Sequence, residues 1–288
     1  MNRTRATLVG FAAILLWSLL ALLTVKSAPV PPFQLNALCF AIGGGLGLLW
    51  LGLTGRLHQL RGIPWTVYAF GTFGLFGYHA LYFSALRLAP PAEAGLIAYL
   101  WPLLIVLFSG LLPGETLRRG HVLGALAGFA GAAAIIGRSE VAFDGPQMWG
   151  YALALLCALF WSGYSVISRT LNDIPTVSVV MFCVAAAILS AVAHVFAEVT
   201  AWPVATSGWL AIILLGAGPV GCAFFAWDIG MKRGDIQLLG VTSYAAPVLS
   251  TVFLVGAGIA DPTPTLVIAA VLITGGAALA ARASAQRT

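Results

Sequence analysis

The feature that most constrains this chain is a series of apolar runs, each long enough to cross a lipid bilayer. A helix of about 20 apolar residues spans the ~30 Å hydrocarbon core of a membrane. Proline, glycine and charged residues separate the runs, and no loop between them is long enough for a soluble domain. The sequence predicts ten transmembrane helices, at residues 7–25, 33–53, 64–86, 92–112, 117–137, 147–171, 175–197, 208–231, 236–258 and 263–281.

Composition agrees with this membrane assignment. Of the 288 residues, 60% are hydrophobic and 8% are charged, whereas a soluble domain carries about 25% charged residues. A soluble core could not bury so much apolar surface, so lipid must solvate much of the chain. The first run, Leu8 to Val25, is longer than the apolar region of a usual signal peptide, and no clear cleavage site follows it. We therefore expect it to be a retained helix.

Charge is distributed unevenly between alternate loops. With the N-terminus in the cytoplasm, the cytoplasmic segments hold eleven Lys and Arg residues, and the outer loops hold Lys26, Arg87 and Arg138. This positive-inside bias predicts that both termini are cytoplasmic. The basic residues form no stripe that could follow phosphates, so we expect no nucleic-acid partner.

The four cysteines lie apart in apolar runs without clustered ligands, so we expect no metal site and no cofactor.

The two halves of the chain repeat each other at an offset of 144 or 145 residues. The pattern G-x-x-x-Y-x-x-P, for example, occurs at residues 95–102 and again at residues 240–247. Each half has five predicted helices, an odd number, so the second half enters the membrane from the opposite side. We predict an all-α polytopic membrane protein of ten transmembrane helices. Its two inverted five-helix repeats are residues 1–141 and 142–288, an arrangement suited to alternating access.

Several segments carry a family resemblance. They are residues 85–87, residues 100–103 and residues 112–115, followed by Gly124 and Gly131. Over essentially its whole length the chain resembles the EamA type of the drug/metabolite transporter superfamily, and within it the YddG-type exporters of aromatic and other neutral amino acids. The resemblance implies ten helices with both termini cytoplasmic, a central cavity between the halves, and export of metabolites across the bacterial inner membrane. The second half departs from the family pattern, because residues 260–261 are Ala-Asp where Glu115 would repeat.

Two prolines in matching positions point to a site inside the membrane. Pro102 and Pro247 lie within predicted helices, where each removes a backbone donor and frees a carbonyl one turn earlier, near Ala98 and Ser243. Freed carbonyls at this depth must face protein or a water-filled cavity. Interrupted helices at matching positions of two halves are typical of a transporter site. We predict that Pro102 and Pro247 are hinges and that Ser243 contacts substrate, and a plain packing kink is the alternative.

Polar aromatic residues are the next candidates for substrate contact. Tyr99 and Tyr244 lie three residues before the two prolines, and either a cavity or a buried interhelix hydrogen bond would satisfy their hydroxyls. Tyr78 and Tyr82 share a helix face beside His79, an ionisable side chain inside the membrane. His79 could contact substrate or a proton, or it could be a neutral histidine bonded to another helix.

Tryptophans complete the predicted binding site. Trp17, Trp101 and Trp161 lie at mid-membrane, where aromatic walls suit aromatic or apolar substrates, although ordinary core packing is the alternative. Trp227 lies near the cytoplasmic end of its helix and is the repeat mate of Tyr82 near the outer end. We predict that these two residues contact substrate, and as mates they could form an inner and an outer gate.

We predict a secondary active or facilitative transporter that exports aromatic and other hydrophobic amino acids by alternating access. The alternatives are a multidrug carrier or a sugar- or nucleotide-related carrier of the same superfamily. A membrane-embedded enzyme is disfavoured, because no G-x-S-x-G or H-E-x-x-H motif occurs. The expected partners are the amino acid and the lipid bilayer, with protons left open, and we expect a monomer.

Overall fold

The computed structural model describes the whole chain except residues 137–145, 260, 262, 287 and 288. The predicted boundary between the two repeats, at residues 141 and 142, lies outside the described residues. Within them the structure is helical and contains no strand. The helices are α1 (Arg3–Ser18), α2 (Leu20–Lys26), α3 (Pro32–Leu53), α4 (Trp65–Thr72), α5 (Tyr78–Leu88), α6 (Pro91–Ala98), α7 (Trp101–Ser109), α8 (Arg119–Ile136), α9 (Pro146–Thr170), α10 (Ser178–Ala197), α11 (Thr206–Ala217), α12 (Ala223–Arg233), α13 (Ile236–Thr242), α14 (Ala245–Gly256) and α15 (Pro264–Ala285), with a short 3₁₀ turn at Leu57–Leu60.

Seven helical stretches in the described part of the chain are long and apolar enough to cross a membrane. These are Arg3–Lys26, Pro32–Leu53, Gln147–Thr170, Ser178–Ala197, Thr206–Arg233, Ile236–Gly256 and Pro264–Ala285. The predicted spans at 64–86, 92–112 and 117–137 are also mostly helical where described, although 92–112 contains only the shorter apolar stretch Glu93–Ser109. Many large apolar side chains on these helices are exposed, which suits a chain solvated by lipid. The chain is therefore a multi-pass membrane protein.

Five of the ten predicted spans are interrupted in the described chain, and four of these interruptions form two pairs at the repeat offset. A π-helical turn, Phe73–Gly77, joins α4 to α5, and a second, Gly218–Cys222, joins α11 to α12 exactly 145 positions later. Pro219 in the second turn lacks the backbone N–H that a regular helix requires, which favours the wider turn. In the first turn, a Cβ on Gly74 would lie 2.3 Å from the ring carbon Cδ2 of Tyr164, so that ring occupies the space that glycine leaves.

The helices also break ahead of both predicted hinges. One span is divided between α6 and α7, so that Pro102 lies in the first turn of α7. The matching span is divided between α13 and α14, with Pro247 the third residue of α14. The sequence predicted interruptions here, because proline lacks the backbone N–H that would bond to a carbonyl in the preceding turn. A further break, at Leu19 between α1 and α2, was not predicted, and it occurs at a residue whose backbone N–H bonds back to Leu16.

The two halves pack against each other along several helices. The most extensive pairings join the repeat mates α3 and α10, the repeat mates α8 and α15, and two pairs that the repeat exchanges, α1 with α12 and α5 with α9. Glycines bring α8 and α15 together, because a Cβ on Gly124 would lie 2.5 Å from the carbonyl oxygen of Gly276. Such small residues allow membrane helices to approach closely and gain van der Waals contact.

The two ends of the helices carry different sets of polar contacts. At one end, the guanidinium of Arg169 donates to the carbonyl oxygens of Met231 and Gly234 and pairs with Glu115. Arg3 lies 3.5 Å from Glu115 and 3.3 Å from the carboxylate of Asp235. We call this the Arg169 end, and it holds both the start of α1 and the last residues of α15, where Gln286 accepts from Arg118.

The opposite end, which we call the Glu198 end, is organised around one carboxylate. Glu198 accepts the backbone N–H groups of Phe33 and Gln34 at 2.9 and 3.0 Å, at the first turn of α3. It also pairs with Arg87 at 3.0 Å, and a helix N-terminus stabilises negative charge at that position. The start of α9 lies at this end as well, because Gly150 packs against Ala89.

Candidate functional site

Four tryptophans from four different helices form one cluster. The rings belong to Trp17 on α1, Trp101 on α7, Trp161 on α9 and Trp227 on α12. All six pairs have ring centroids between 5.0 and 6.4 Å apart. Trp101, Trp161 and Trp227 are buried, and Trp17 is partly exposed. The cluster thus joins the first half to the second, and we call it the tryptophan cluster.

Two hydrogen bonds fix the tryptophan cluster. The indole N–H of Trp17 donates to the carbonyl oxygen of Pro219 at 3.0 Å, inside the second π-helical turn. The indole N–H of Trp227 donates to the hydroxyl of Ser165 at 3.0 Å. A buried indole N–H usually has such a partner, and here each bond ties a ring to a different helix. These bonds hold the rings in defined orientations.

Polar aromatic side chains extend the cluster. Tyr78 lies 5.4 Å from the ring of Trp161 and stacks on Tyr82 with centroids 6.1 Å apart. Tyr99 lies 6.2 Å from the ring of Trp101. These three tyrosines pack against buried core residues but are partly exposed, so they face an internal space between the helices. No described residue hydrogen-bonds their hydroxyls, which leaves those groups able to bind a polar ligand.

His79 lies beside the tyrosines and is oriented by its own helix. Its Nδ1 atom is 2.7 Å from the carbonyl oxygen of Leu75 in the first π-helical turn. The imidazole is 5.2 Å from the ring of Tyr78 and 5.3 Å from the ring of Phe40. Like the tyrosines, it lies deep in the protein but is partly exposed. His79 therefore faces the same internal space.

The remaining predicted residues lie at the helix breaks. Tyr244 is fully buried, and its hydroxyl accepts the backbone N–H of Leu103 at 3.1 Å. This is the buried interhelix hydrogen bond that the sequence left open as the alternative. The hydroxyl of Ser243 is buried and donates to the carbonyl oxygen of Leu239 at 2.7 Å, within its own helix. Tyr244 still touches the site, because its ring centroid is 6.4 Å from that of Tyr99.

Two phenylalanines belong to the site although the sequence interpretation did not select them. Phe224 lies 5.7 Å from Trp161 and 6.3 Å from His79, and it stacks on Phe40. Phe224 is the repeat mate of His79, at an offset of 145. The repeat therefore contained a signal for Phe224, which was passed over because phenylalanine has no polar group. Phe40 had no such signal.

In the described part of the chain, no charged side chain hydrogen-bonds to or stacks on the rings of this aromatic surface, although Asp228 directly follows Trp227 on α12. Near the Arg169 end, Asp228 pairs with Lys232 at 2.9 Å and accepts the hydroxyl of Thr176 at 2.6 Å. Both side chains of this pair are buried inside the protein. Near the Glu198 end, Tyr151 donates to Glu93 at 2.7 Å. The site itself is thus aromatic and neutral.

Comparison with known proteins also divides the chain into two halves. The EamA-like transporter family matches the chain twice, at residues 4–137 and 148–282. The chain belongs to the EamA-like transporter family. A relative from Ancylobacter novellus named aromatic amino acid exporter YddG is 57% identical, over 97% of this chain and 98% of the relative.

More distant relatives and a solved structure extend the match. The aromatic amino acid exporters YddG of Salmonella typhimurium and Escherichia coli strain K12 are 28% and 27% identical, each over 87% of this chain and 88% of the relative. A crystal structure of a 57% identical protein superposes with a TM-score of 0.92, covering 97% of this chain and 98% of the other. As a member of this family, the chain is a transporter and not an enzyme.

Proposed function

We propose that this protein exports aromatic and other hydrophobic amino acids across the bacterial inner membrane by alternating access. The observation that carries the proposal is the continuous aromatic surface formed by the tryptophan cluster, Tyr78, Tyr82 and Tyr99. Its rings come from both halves of the chain. A movement of one half relative to the other would therefore change the arrangement of these rings. The exporter names of the relatives point to the same substrate class.

The proposed architecture is ten transmembrane helices in two inverted repeats, residues 1–141 and 142–288. Three observations support it. The two family matches divide the chain into halves, and the two π-helical turns are 145 residues apart. In addition, α1 begins at the Arg169 end whereas its repeat mate α9 begins at the Glu198 end. Mates that run in opposite directions are what an inverted repeat requires.

We place the Arg169 end in the cytoplasm, so that both termini are cytoplasmic. The basis is the positive-inside rule, because this end holds Arg3, Arg118, Arg169 and Lys232 whereas the Glu198 end holds Arg87. In this orientation the buried ion pairs close the cytoplasmic end below the tryptophan cluster. The tyrosines then face a space that opens outward, and the broken helices at Pro102 and Pro247 act as hinges.

The chemistry of the site suits a neutral amino acid. Large rings bind apolar and aromatic side chains through buried area and edge contacts. The free hydroxyls of Tyr78, Tyr82 and Tyr99 offer donors and acceptors to the polar part of a substrate. A phosphorylated substrate would favour lysine or arginine, and the described site contains neither. We propose that the transporter works as a monomer in the lipid bilayer, with the amino acid as its small-molecule partner.

Counterflow in proteoliposomes tests the proposed function. Vesicles loaded with one unlabelled amino acid should take up its labelled form for Phe, Trp, Tyr and Met, and poorly for Glu and Lys. Tyr99→Ala and Trp161→Ala should lose most of this exchange, whereas Trp65→Ala, at a ring that is 76% exposed at the surface, should keep it. A pH gradient added to the same assay would show whether protons are transported too. Transport of a cationic dye without amino-acid exchange would instead support the multidrug alternative.

A further inference from the structure

The ring of His79 is held in a single tautomer. Its Nδ1 atom is 2.7 Å from the carbonyl oxygen of Leu75, and a carbonyl oxygen can only accept a hydrogen bond. The proton of the neutral imidazole must therefore be on Nδ1. The Nε2 atom then carries a lone pair and acts as an acceptor.

The first π-helical turn supplies this orientation. Leu75 lies inside the turn, and its carbonyl oxygen accepts both the backbone N–H of Tyr78 and the imidazole N–H of His79. The second turn uses the same device, because the carbonyl oxygen of Pro219 accepts the indole N–H of Trp17. Each π-helical turn thus uses a backbone carbonyl to aim an aromatic ring into the site. π-Helical turns inside α-helices often occur at functional sites.

The Nε2 atom of His79 has no donor within the described part of the chain. The ring is surrounded by Phe40, Tyr78, Phe83 and Phe224, with centroids 5.2 to 6.3 Å away. None of these rings donates a hydrogen bond to it, and no described carboxylate contacts it. Because His79 faces the internal space, its lone pair is available to a ligand that donates a hydrogen bond.

We propose that His79 Nε2 is the acceptor for the ammonium group of the transported amino acid. This inference rests on the proposed function and names the substrate group that the site selects. The ring of Tyr78 lies 5.2 Å from that of His79 and stacks on Tyr82. The hydroxyls of these two tyrosines donate to the carboxylate, so a zwitterion is held entirely by neutral groups. The site therefore selects a substrate with a free ammonium group, and it discriminates against acids that lack one.

Equilibrium dialysis of the purified full-length protein with three labelled probes tests this assignment. The probes are L-phenylalanine, 2-phenylethylamine, which lacks the carboxylate, and 3-phenylpropionate, which lacks the ammonium. His79→Leu should raise the Kd of phenylalanine and phenylethylamine at least about tenfold, the effect of losing one hydrogen bond to a charged group. The Kd of phenylpropionate should stay unchanged, and His79→Gln, which keeps an acceptor near Nε2, should restore much of the loss.

His58→Leu is the matched control, because His58 also has Nδ1 bonded to a backbone carbonyl, that of Gly55, but lies exposed outside the site. It should leave the Kd of all three probes unchanged. The assignment is overturned if His79→Leu weakens all three probes equally, or if wild-type protein binds none of the probes. If the wild type binds the probes with the expected selectivity but exchanges no amino acid in proteoliposomes, the proposed function fails and the His79 assignment stands.

Discussion

At the scale of the residue, equivalent tyrosines of the two repeats have different roles. Tyr99 and Tyr244 occupy the same place in the pattern G-x-x-x-Y-x-x-P. Tyr99 is partly exposed to the internal space, whereas Tyr244 is fully buried and accepts the backbone N–H of Leu103. That N–H lies just after the break between α6 and α7, where the regular helical acceptor is lost. Tyr244 therefore stabilises the broken helix of the opposite half.

The different roles predict different effects for the same substitution. Tyr244→Phe leaves a buried N–H without an acceptor, which costs about 1–3 kcal/mol, so the midpoint of thermal unfolding in detergent should fall. Tyr99→Phe removes a hydroxyl that no described residue binds, so the midpoint should stay close to wild type while phenylalanine exchange declines. If both substitutions shift the midpoint equally, the assigned roles are wrong.

The sequence predicted which residues lie together, and it predicted the role of each residue less reliably. The aromatic residues at mid-membrane were selected because lipid-buried polar aromatics need partners, and the rings of nine of the ten predicted contact residues, all but Ser243, do join one surface. The sequence offered a buried interhelix hydrogen bond as one of two roles for Tyr244 but could not decide between them, because the partner is a backbone group 141 residues away. Phe40 was missed because a phenylalanine in an apolar run carries no local signal.

At the scale of the element, glycine determines how closely two helices approach. Gly276 of α15 lies against α8, and a Cβ there would be 2.5 Å from the carbonyl oxygen of Gly124. Its neighbour Gly275 has no atom within 4 Å of the corresponding position. Adjacent glycines on one helix thus face a backbone in one case and open space in the other.

Alanine substitution should separate these two glycines. Gly276→Ala should destabilise the protein by about 1–3 kcal/mol, because α8 and α15 must move apart. Gly275→Ala should be neutral or should stabilise by up to about 1 kcal/mol, since alanine favours a helix more than glycine does. Thermal unfolding of the two purified variants measures the difference. A similar loss in both would show that the helices do not pack through Gly276.

Helix breaks show where sequence interpretation succeeds at this scale. Proline lacks the backbone N–H that would bond to a carbonyl in the preceding turn, so the breaks before Pro102 and Pro247 were predictable. The π-helical turn at Phe73–Gly77 contains no proline and was not predicted. It depends on rings packing into the space left by glycines, such as Tyr164 against Gly74, and these contacts exist only in the folded structure.

At the scale of the whole molecule, the two ends of the helices are held by different charge networks. Arg169 joins α9 to the end of α12 and to Glu115 in the loop before α8. Glu198 joins the end of α10 to the start of α3 and to Arg87. The side chain of Arg169 is 17% exposed and that of Arg87 is 46% exposed. Removing the partner of a buried charge costs more free energy than removing the partner of an exposed charge. We therefore expect the Arg169 network to contribute more than the Glu198 network to the balance between conformations.

The last prediction concerns that balance. Arg169→Gln leaves the buried carboxylate of Glu115 with a weaker partner, so the Arg169 end, which the proposed orientation places in the cytoplasm, should open more often. A Cys222→Ser background removes the exposed native thiol, and Tyr82→Cys then reports access to the internal space. In inside-out vesicles, Arg169→Gln should increase the rate at which a membrane-impermeant maleimide labels this cysteine several-fold. Arg87→Gln, at the opposite end, should not increase labelling from that side. If the two variants label alike, the Arg169 network does not hold the Arg169 end closed, and the tryptophan cluster must form that barrier by itself.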